Sequence, residues 1–330
     1  MALIKSISGI RGTIGGKPND NLTPVDIVKF AAAYGTWLAQ QSNNKKIVIG
    51  RDGRISGEMV SNLVISTLVG LGFDIIDLGL STTPTVEMAV KFEKAAGGII
   101  LTASHNPKEW NALKLLNDKG EFISGEEGNR ILQTAEKEDF EFAKVDKLGT
   151  VTKDESLLKK HIDAVLAYEL VDAALVKKQH FKVVVDAVNS TGAIAVPALL
   201  KAMGVTDIIV LNEEVTGHFA HNPEPLPEHL TDLCAEVVKQ KAHLGISVDP
   251  DVDRLALVCE DGSLFGEEYT LVACADHVLA NRPGDTVSNL SSTRALNDIA
   301  ERHGRKRHAS AVGEVNVVEL MRQVNAPIGG

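Results

Sequence analysis

Aromatic side chains are scarce: Phe, Trp and Tyr together make up 4% of the 330 residues. That argues against the stacked rings of a single-stranded nucleic-acid platform. Cationic residues are outnumbered, 34 Lys and Arg against 44 Asp and Glu, and a formal charge of −10 repels phosphate polymers and anionic lipid. Neither nucleic acid nor membrane is an expected partner. No stretch approaches the ~20 uninterrupted apolar residues of a membrane span, and residues 1–16 lack the apolar run and cleavage site of a secretory signal. Cysteine is nearly absent. Cys234, Cys259 and Cys274 are odd in number and show no C-x-x-C spacing, so a disulfide frame or zinc site is not expected and a reducing cytoplasm is. What remains, 44% hydrophobic and 24% charged residues, is the mix of an ordinary globular protein. The length suits two or three domains of roughly 100–200 residues.

Along the chain, short β-branched runs alternate with helical patterns. Lys45–Gly50 reads as a strand that ends in the loop Arg51-Asp52-Gly53-Arg54. A helix follows over about Gly57–Gly72, with Met59, Leu63, Leu68 and Leu71 near a 3.6-residue period. Phe73–Leu78 and Gly98–Leu101 read as further strands, and such alternation predicts parallel βαβ units. The pattern recurs: Lys182–Asp186, a Gly192–Ala202 helix, Val205–Leu211 and Leu244–Val248 repeat it, and a third copy begins at Asp285–Leu290 with a helix at about Thr293–His303. The fold class is therefore α/β, built from tandem duplicated mixed α/β domains. Breaks fall near 150, in a polar stretch, and near 262, at Glu260-Asp261-Gly262-Ser263. In the third copy Phe265-Gly266-Glu267-Glu268 reads as a turn before a helix, its acids suited to a helix N-terminus. The basic run from Arg302 to His308 reads as a solvated helix end and loop.

In open α/β sheets, ligand loops lie beyond the carboxyl ends of strands. Thr102-Ala103-Ser104-His105-Asn106-Pro107 and Asp249-Pro250-Asp251-Val252-Asp253-Arg254 take that position in the first two copies, which suggests that both face one cleft. Carboxylates at Asp249, Asp251 and Asp253 would repel one another in a dry site. A hard divalent cation removes that repulsion, and oxygen-only ligands favour Mg²⁺ or Ca²⁺ over zinc. A solvated acidic loop is the ordinary alternative, but the flanking runs are apolar and strand-like. An EF-hand fits the acid spacing and fails at Arg254, where its loop needs Gly. Ser104 beside His105 could be read as a protease pair. Neighbours on an extended segment point apart, however, and no G-x-S-x-G elbow is present. A serine facing a cation site is better suited to carrying phosphate, its oxygens clamped by cations such as Arg11, Lys114 and Arg254.

Together these segments resemble the α-D-phosphohexomutase superfamily: phosphoglucomutase, phosphomannomutase and phosphoglucosamine mutase. Thr102–Pro107 matches its phosphoserine loop and Asp249–Arg254 its D-x-D-G-D-R metal loop, with Val252 where Gly is usual. Ser8-Gly9-Ile10-Arg11-Gly12 is similar to its S-G-I-R-G segment, and Gly50–Arg54 to G-R-D-x-R. The stretch from Gly217 through Asn222-Pro223-Glu224-Pro225 to Leu230 resembles its second-domain loop, with Ala220 in place of a Pro. The resemblance implies a first domain over 1–150 with the phosphoserine loop, a second over 151–262 with the metal loop, and an incomplete third over 263–330. The family's sugar-selecting loop and fourth domain would lie beyond Gly330.

The resemblance further implies an isomerase, an intramolecular phosphotransferase interconverting hexose 1-phosphates and 6-phosphates through phosphorylated Ser104 and a bound hexose 1,6-bisphosphate. Mg²⁺ would be held by the phosphate on Ser104 and by Asp249, Asp251 and Asp253. Lys114, His105 and Arg11 would serve acid/base and charge-stabilising roles, and Arg254 would belong to the metal and phosphate environment. The Asn222–Pro225 loop favours glucose and mannose phosphates, with glucosamine phosphate the alternative. A chain ending at Gly330 is expected to keep phosphoserine and metal binding while turning over poorly. Two other readings share these residues: an inactive phosphosugar-binding protein, and a Mg²⁺ phosphatase with an Asp nucleophile.

Overall fold

In a computed structural model, described over residues 3–6 and 9–330, three α/β units follow one another along the chain. Ser8, the first residue of the segment likened to S-G-I-R-G, lies outside the described residues. The first unit runs β1 (Leu3–Ser6), β2 (Gly9–Thr13), α1 (Pro24–Gln41), β3 (Lys46–Arg51), α2 (Gly57–Gly70), β4 (Asp74–Leu80), α3 (Thr83–Phe92), β5 (Gly97–Leu101), β6 (Trp110–Leu116), α4 (Gly125–Lys137) and β7 (Val151–Lys153). Its sheet has the order β1-β2-β6-β5-β3-β4-β7. Ile47, Val48 and Ile49 alternate between the two faces of the central strand and are fully buried on both. On one side Phe30, Tyr34, Leu38, Val64 and Leu68 of α1 and α2 close over the sheet; on the other, Val86 and Val90 of α3 do so.

The second unit follows α5 (Leu157–Leu166) and α6 (Ala173–Lys178). It contains β8 (Lys182–Asp186), α7 (Gly192–Ala202), β9 (Asp207–Leu211), α8 (Thr231–Gln240), β10 (Leu244–Val248) and β11 (Leu255–Cys259), with sheet order β11-β10-β8-β9. The third holds α9 (Tyr269–Asn281), β12 (Thr286–Asn289), α10 (Ala295–Arg302), β13 (Arg307–Ser310), α11 (Glu314–Val324) and β14 (Ile328–Gly329), with β12 at the centre of three parallel strands. No helix among the described residues is long and apolar enough to cross a membrane.

The parallel pairing expected from the alternation holds in the middle of each sheet, where β3 pairs with β4 and β5, and β8 with β9 and β10. It fails at one side of the first two sheets. β6 returns antiparallel to β5, and β11 antiparallel to β10. The connections are too short for the dozen or more residues of a parallel crossover. These two short connections are the serine loop and the aspartate loop. Each is held at both ends by a sheet, the arrangement that gives a loop fixed geometry. A further difference lies at β7, which continues the first sheet beside β4 although it follows the break read near 150.

Candidate functional site

The serine and aspartate loops meet across the seam between the first two units. Ser104 Oγ donates a hydrogen bond to Asp249 Oδ2 at 2.7 Å. Ser104 is held in the left-handed region, φ +50°. Its amide is anchored to Thr102 Oγ1 at 2.9 Å. This backbone turn brings the side chains of Ser104 and His105 to the same side, Oγ to Nδ1 3.3 Å. The expectation that adjacent side chains would diverge assumed an extended segment; the left-handed turn removes it. Burial, with Arg254 adding to it, holds the His105 imidazole below its usual range, so the ring is neutral near pH 7.

Asp249 and Asp251 are fully buried and Asp253 lies at the exposed edge, with one carboxylate oxygen of each within 4.8 Å of the others. The acids are therefore not a solvated surface loop. Lys114 Nζ donates to Asp251 Oδ2 at 2.7 Å and to Asp253 Oδ2 at 2.8 Å, and the Thr83 hydroxyl donates to Asp251 Oδ2 at 2.5 Å. Burial works to lower the Lys114 ammonium, but the two carboxylates outweigh it and keep the amine protonated. The same ion pair overcomes burial at Asp251 and brings its carboxyl down to about 2. Among the described residues Asp249 has no such cation. Burial and the charges of Asp251 and Asp253 push it well above the usual carboxylate range.

These residues fit a hard divalent cation. The donors are all oxygen, and among the described residues one member of the triad is left without positive charge and Asp251 Oδ1 is buried with no hydrogen-bond partner. Such an orphan acceptor is costly unless something meets it.

Arg11 and Arg254 stand further out. Arg11 lies exposed on β2, in register with Ala112 of β6, and lines a small cavity of about 100 Å³ together with Ser104 and Lys114. Arg254 turns its guanidinium to Glu224 of the second unit, Nη1 to Oε1 2.9 Å, while its backbone amide donates to Asp249 Oδ1 at 3.1 Å. The Asn222–Pro225 loop is thereby tied to the aspartate loop.

The G-R-D-x-R likeness gives Arg54 no role of its own, yet Arg54 holds the serine loop in place. It is 1% exposed. Its Nε donates to Asp52 Oδ2; Nη1 donates to the carbonyls of Pro107 and Trp110, and Nη2 to those of Ser104 and Asn106, at 2.5–3.0 Å. All five N–H donors of the guanidinium are spent, four of them on the backbone that carries Ser104. Asp52 in turn accepts from Thr102 Oγ1 at 2.7 Å. No local signal marks an arginine as buried. The nearest one is its place, with Asp52, just after the apolar run Ile47-Val48-Ile49-Gly50 of β3.

Residues 3–142, 159–262 and 266–330 match, in that order, the phosphoglucomutase/phosphomannomutase alpha/beta/alpha domains I, II and III. A phosphoglucomutase/phosphomannomutase of Thermococcus kodakarensis is 36% identical over 324 residues, spanning 97% of this chain and 70% of that protein. A phosphoglucosamine/phosphogalactosamine mutase of Sulfurisphaera tokodaii is 29% identical, spanning 100% of this chain and 71% of its own. Among solved structures, a phosphoglucomutase/phosphomannomutase family protein of Burkholderia thailandensis superposes with a TM-score of 0.86 at 25% identity, covering 99% of this chain and 70% of that one.

Proposed function

The chain belongs to the phosphoglucomutase/phosphomannomutase family and is a phosphohexomutase, and from that premise we propose which of its residues carry the phosphoryl group and on which sugar. Ser104 is the carrier. The observation that supports this best is the 2.7 Å approach of its hydroxyl to Asp249, a residue of another unit, inside a cluster of carboxylates that would otherwise repel a phosphate. Asp249, Asp251 and Asp253 would hold Mg²⁺, which supplies positive charge against that of the transferring group when bound.

A serine hydroxyl is a weak nucleophile and needs a base in reach. His105, with Nδ1 3.3 Å from Oγ and neutral near pH 7, takes the Ser104 proton when the serine accepts phosphate. It returns that proton to Oγ when the phosphoryl leaves for a sugar hydroxyl, whose own proton passes to solvent water as the new O–P bond forms. Lys114, kept protonated by its two carboxylates, and Arg11, on the same small cavity, face the phosphoryl oxygens as fixed positive charge. Arg254 stands between the aspartate loop and Glu224 and contributes to the field there. Arg54 does no chemistry; it fixes the backbone on which Ser104 stands.

The substrates are hexose monophosphates, with a hexose 1,6-bisphosphate as the intermediate. Glucose and mannose phosphates are the first assignment, on the strength of the Asn222–Pro225 loop and the Thermococcus relative. Glucosamine phosphate is the second, favoured by the name of the Sulfurisphaera relative. Incubation with glucose 1,6-bisphosphate should add one phosphate by intact mass, mapping to Ser104 and absent from Ser104→Ala. Coupled assays on glucose 1-phosphate, mannose 1-phosphate and glucosamine 6-phosphate then rank the sugars. A Ser104→Ala protein that still takes up phosphate from the bisphosphate, or hydrolyses the bisphosphate, would refute the assignment and favour an aspartyl nucleophile.

A further inference from the structure

The serine loop belongs to one unit and the aspartate loop to another, so their register must be set by whatever spans the seam. Behind the two loops lies the turn that follows β8, at 187–191. Ser190 in this turn is fully buried. Its hydroxyl accepts a hydrogen bond from the Gly53 amide at 2.9 Å and donates one to the Pro250 carbonyl at 2.6 Å. Gly53 immediately precedes Arg54, whose guanidinium holds the carbonyls of Ser104, Asn106, Pro107 and Trp110. Pro250 sits between Asp249 and Asp251. One hydroxyl group therefore joins the scaffold of the serine to the backbone of the aspartates.

The surroundings leave little slack. A Cβ on Gly53 would approach Ser190 Cα to 3.0 Å, so the two segments touch backbone to backbone. From the same unit Gly217, at φ +68°, packs so closely that a Cβ there would lie 2.4 Å from the Gly53 carbonyl oxygen, and the Phe219 ring lies 5.1 Å from the Arg54 guanidinium. The neighbouring Thr191 hydroxyl also donates to the Pro250 carbonyl, at 2.8 Å, and among the described residues it has no bond to the Gly53 side.

We propose that Ser190 is a positioning residue for phosphoryl transfer, its hydroxyl setting the distance between the Ser104 loop and the Asp249–Asp253 loop. A displacement of about 1 Å between reacting groups lowers a rate by up to ~100-fold. Thr191, bonded at one end only, cannot transmit position across the seam and serves as the control. The proposal rests on Ser104 as the carrier, and the experiment separates the two claims.

Hydrogen exchange and uptake of phosphate from glucose 1,6-bisphosphate are measured on the parent, Ser190→Ala and Thr191→Val. Ser190→Ala should exchange faster within 50–56 and 102–110 while the strands of both sheets stay protected. Its Ser104 should take up phosphate about tenfold more slowly, with KM for the bisphosphate little changed. Thr191→Val should stay within about threefold of the parent. The proposal is overturned if Ser190→Ala leaves exchange in both loops unchanged, or if exchange rises with no slowing of uptake. It is equally overturned if both variants slow uptake alike with exchange raised throughout 182–248, which is general loosening. A parent that never takes phosphate on Ser104 refutes the carrier assignment, and the exchange pattern alone then decides whether Ser190 sets the register.

Discussion

Replacing Arg54 by lysine keeps the positive charge and removes the geometry, which makes it a sharp perturbation of the site. The guanidinium makes five buried hydrogen bonds, one to the Asp52 carboxylate and four to the carbonyls of Ser104, Asn106, Pro107 and Trp110. An ammonium has three donors, so at least two of those five acceptors lose their partner. At about 1–3 kcal/mol for each buried polar group left unpaired, the substitution should cost roughly 2–6 kcal/mol. That is a large share of the ~5–15 kcal/mol that holds a domain folded. Alanine should be worse, because Asp52 would be a buried carboxylate with no countercharge; burial already pushes its carboxyl upward against the pull of Arg54. Urea unfolding followed at several wavelengths measures the stability loss. Phosphorylation of Ser104 in the protein that remains folded measures the consequence for the site, expected to be about tenfold or more. An Arg54→Lys protein with the parent's unfolding midpoint and the parent's phosphorylation rate would refute the claim that the fork of five donors holds the serine loop.

Two further predictions concern the second unit. His221 Nε2 lies 2.9 Å from the buried Asp186 carboxylate, which raises the imidazole above its usual range. Burial works against the Asp186 charge, but the bonds from His221 and Asn212 outweigh it and hold the carboxyl low. The stability from His221 is thus complete below its unfolded pKa of about 6.5 and lost as pH rises through the folded value. That from Asp186 is present above about 3.9 and lost as pH falls through its depressed value. Unfolding measured against pH should show the pair's full contribution between those limits, and His221→Gln should flatten the decline on the alkaline side; an unchanged profile contradicts this. Val252, at φ +61°, is a β-branched residue in the left-handed region, its side chain packed on the core around Val183, Val185 and Val248. Relief of roughly 1–2 kcal/mol of backbone strain in Val252→Gly should nearly offset the lost packing and the ~0.5–1 kcal/mol cost of glycine's freedom. A net change above about 2 kcal/mol in thermal unfolding would show that the packing of Val252, not its backbone, governs the loop.

The repeated strand–helix pattern, the two chemical loops at the carboxyl ends of strands, and the oxygen-only character of the aspartate cluster were all legible in the sequence. They are local: apolar β-branched runs such as Ile47–Ile49 declare a buried strand by themselves, and three alternate aspartates declare their mutual repulsion. The tertiary structure decided what meets what. Ser104 and Asp249 are 145 positions apart, and no spacing within either loop says that one hydroxyl will lie against the other's carboxylate. The serine and histidine came together because a left-handed residue replaced the extended backbone that the sequence alone suggested. β6 and β11 turned back antiparallel because their connections were spent on loops and left no length for a crossover helix. Arg54 and Ser190 were the least visible of all. Whether a charge or a hydroxyl can be buried depends on acceptors and donors supplied by other segments, here carbonyls at 104–110 and 250 and an amide at 53, and those partners assemble only when the chain folds.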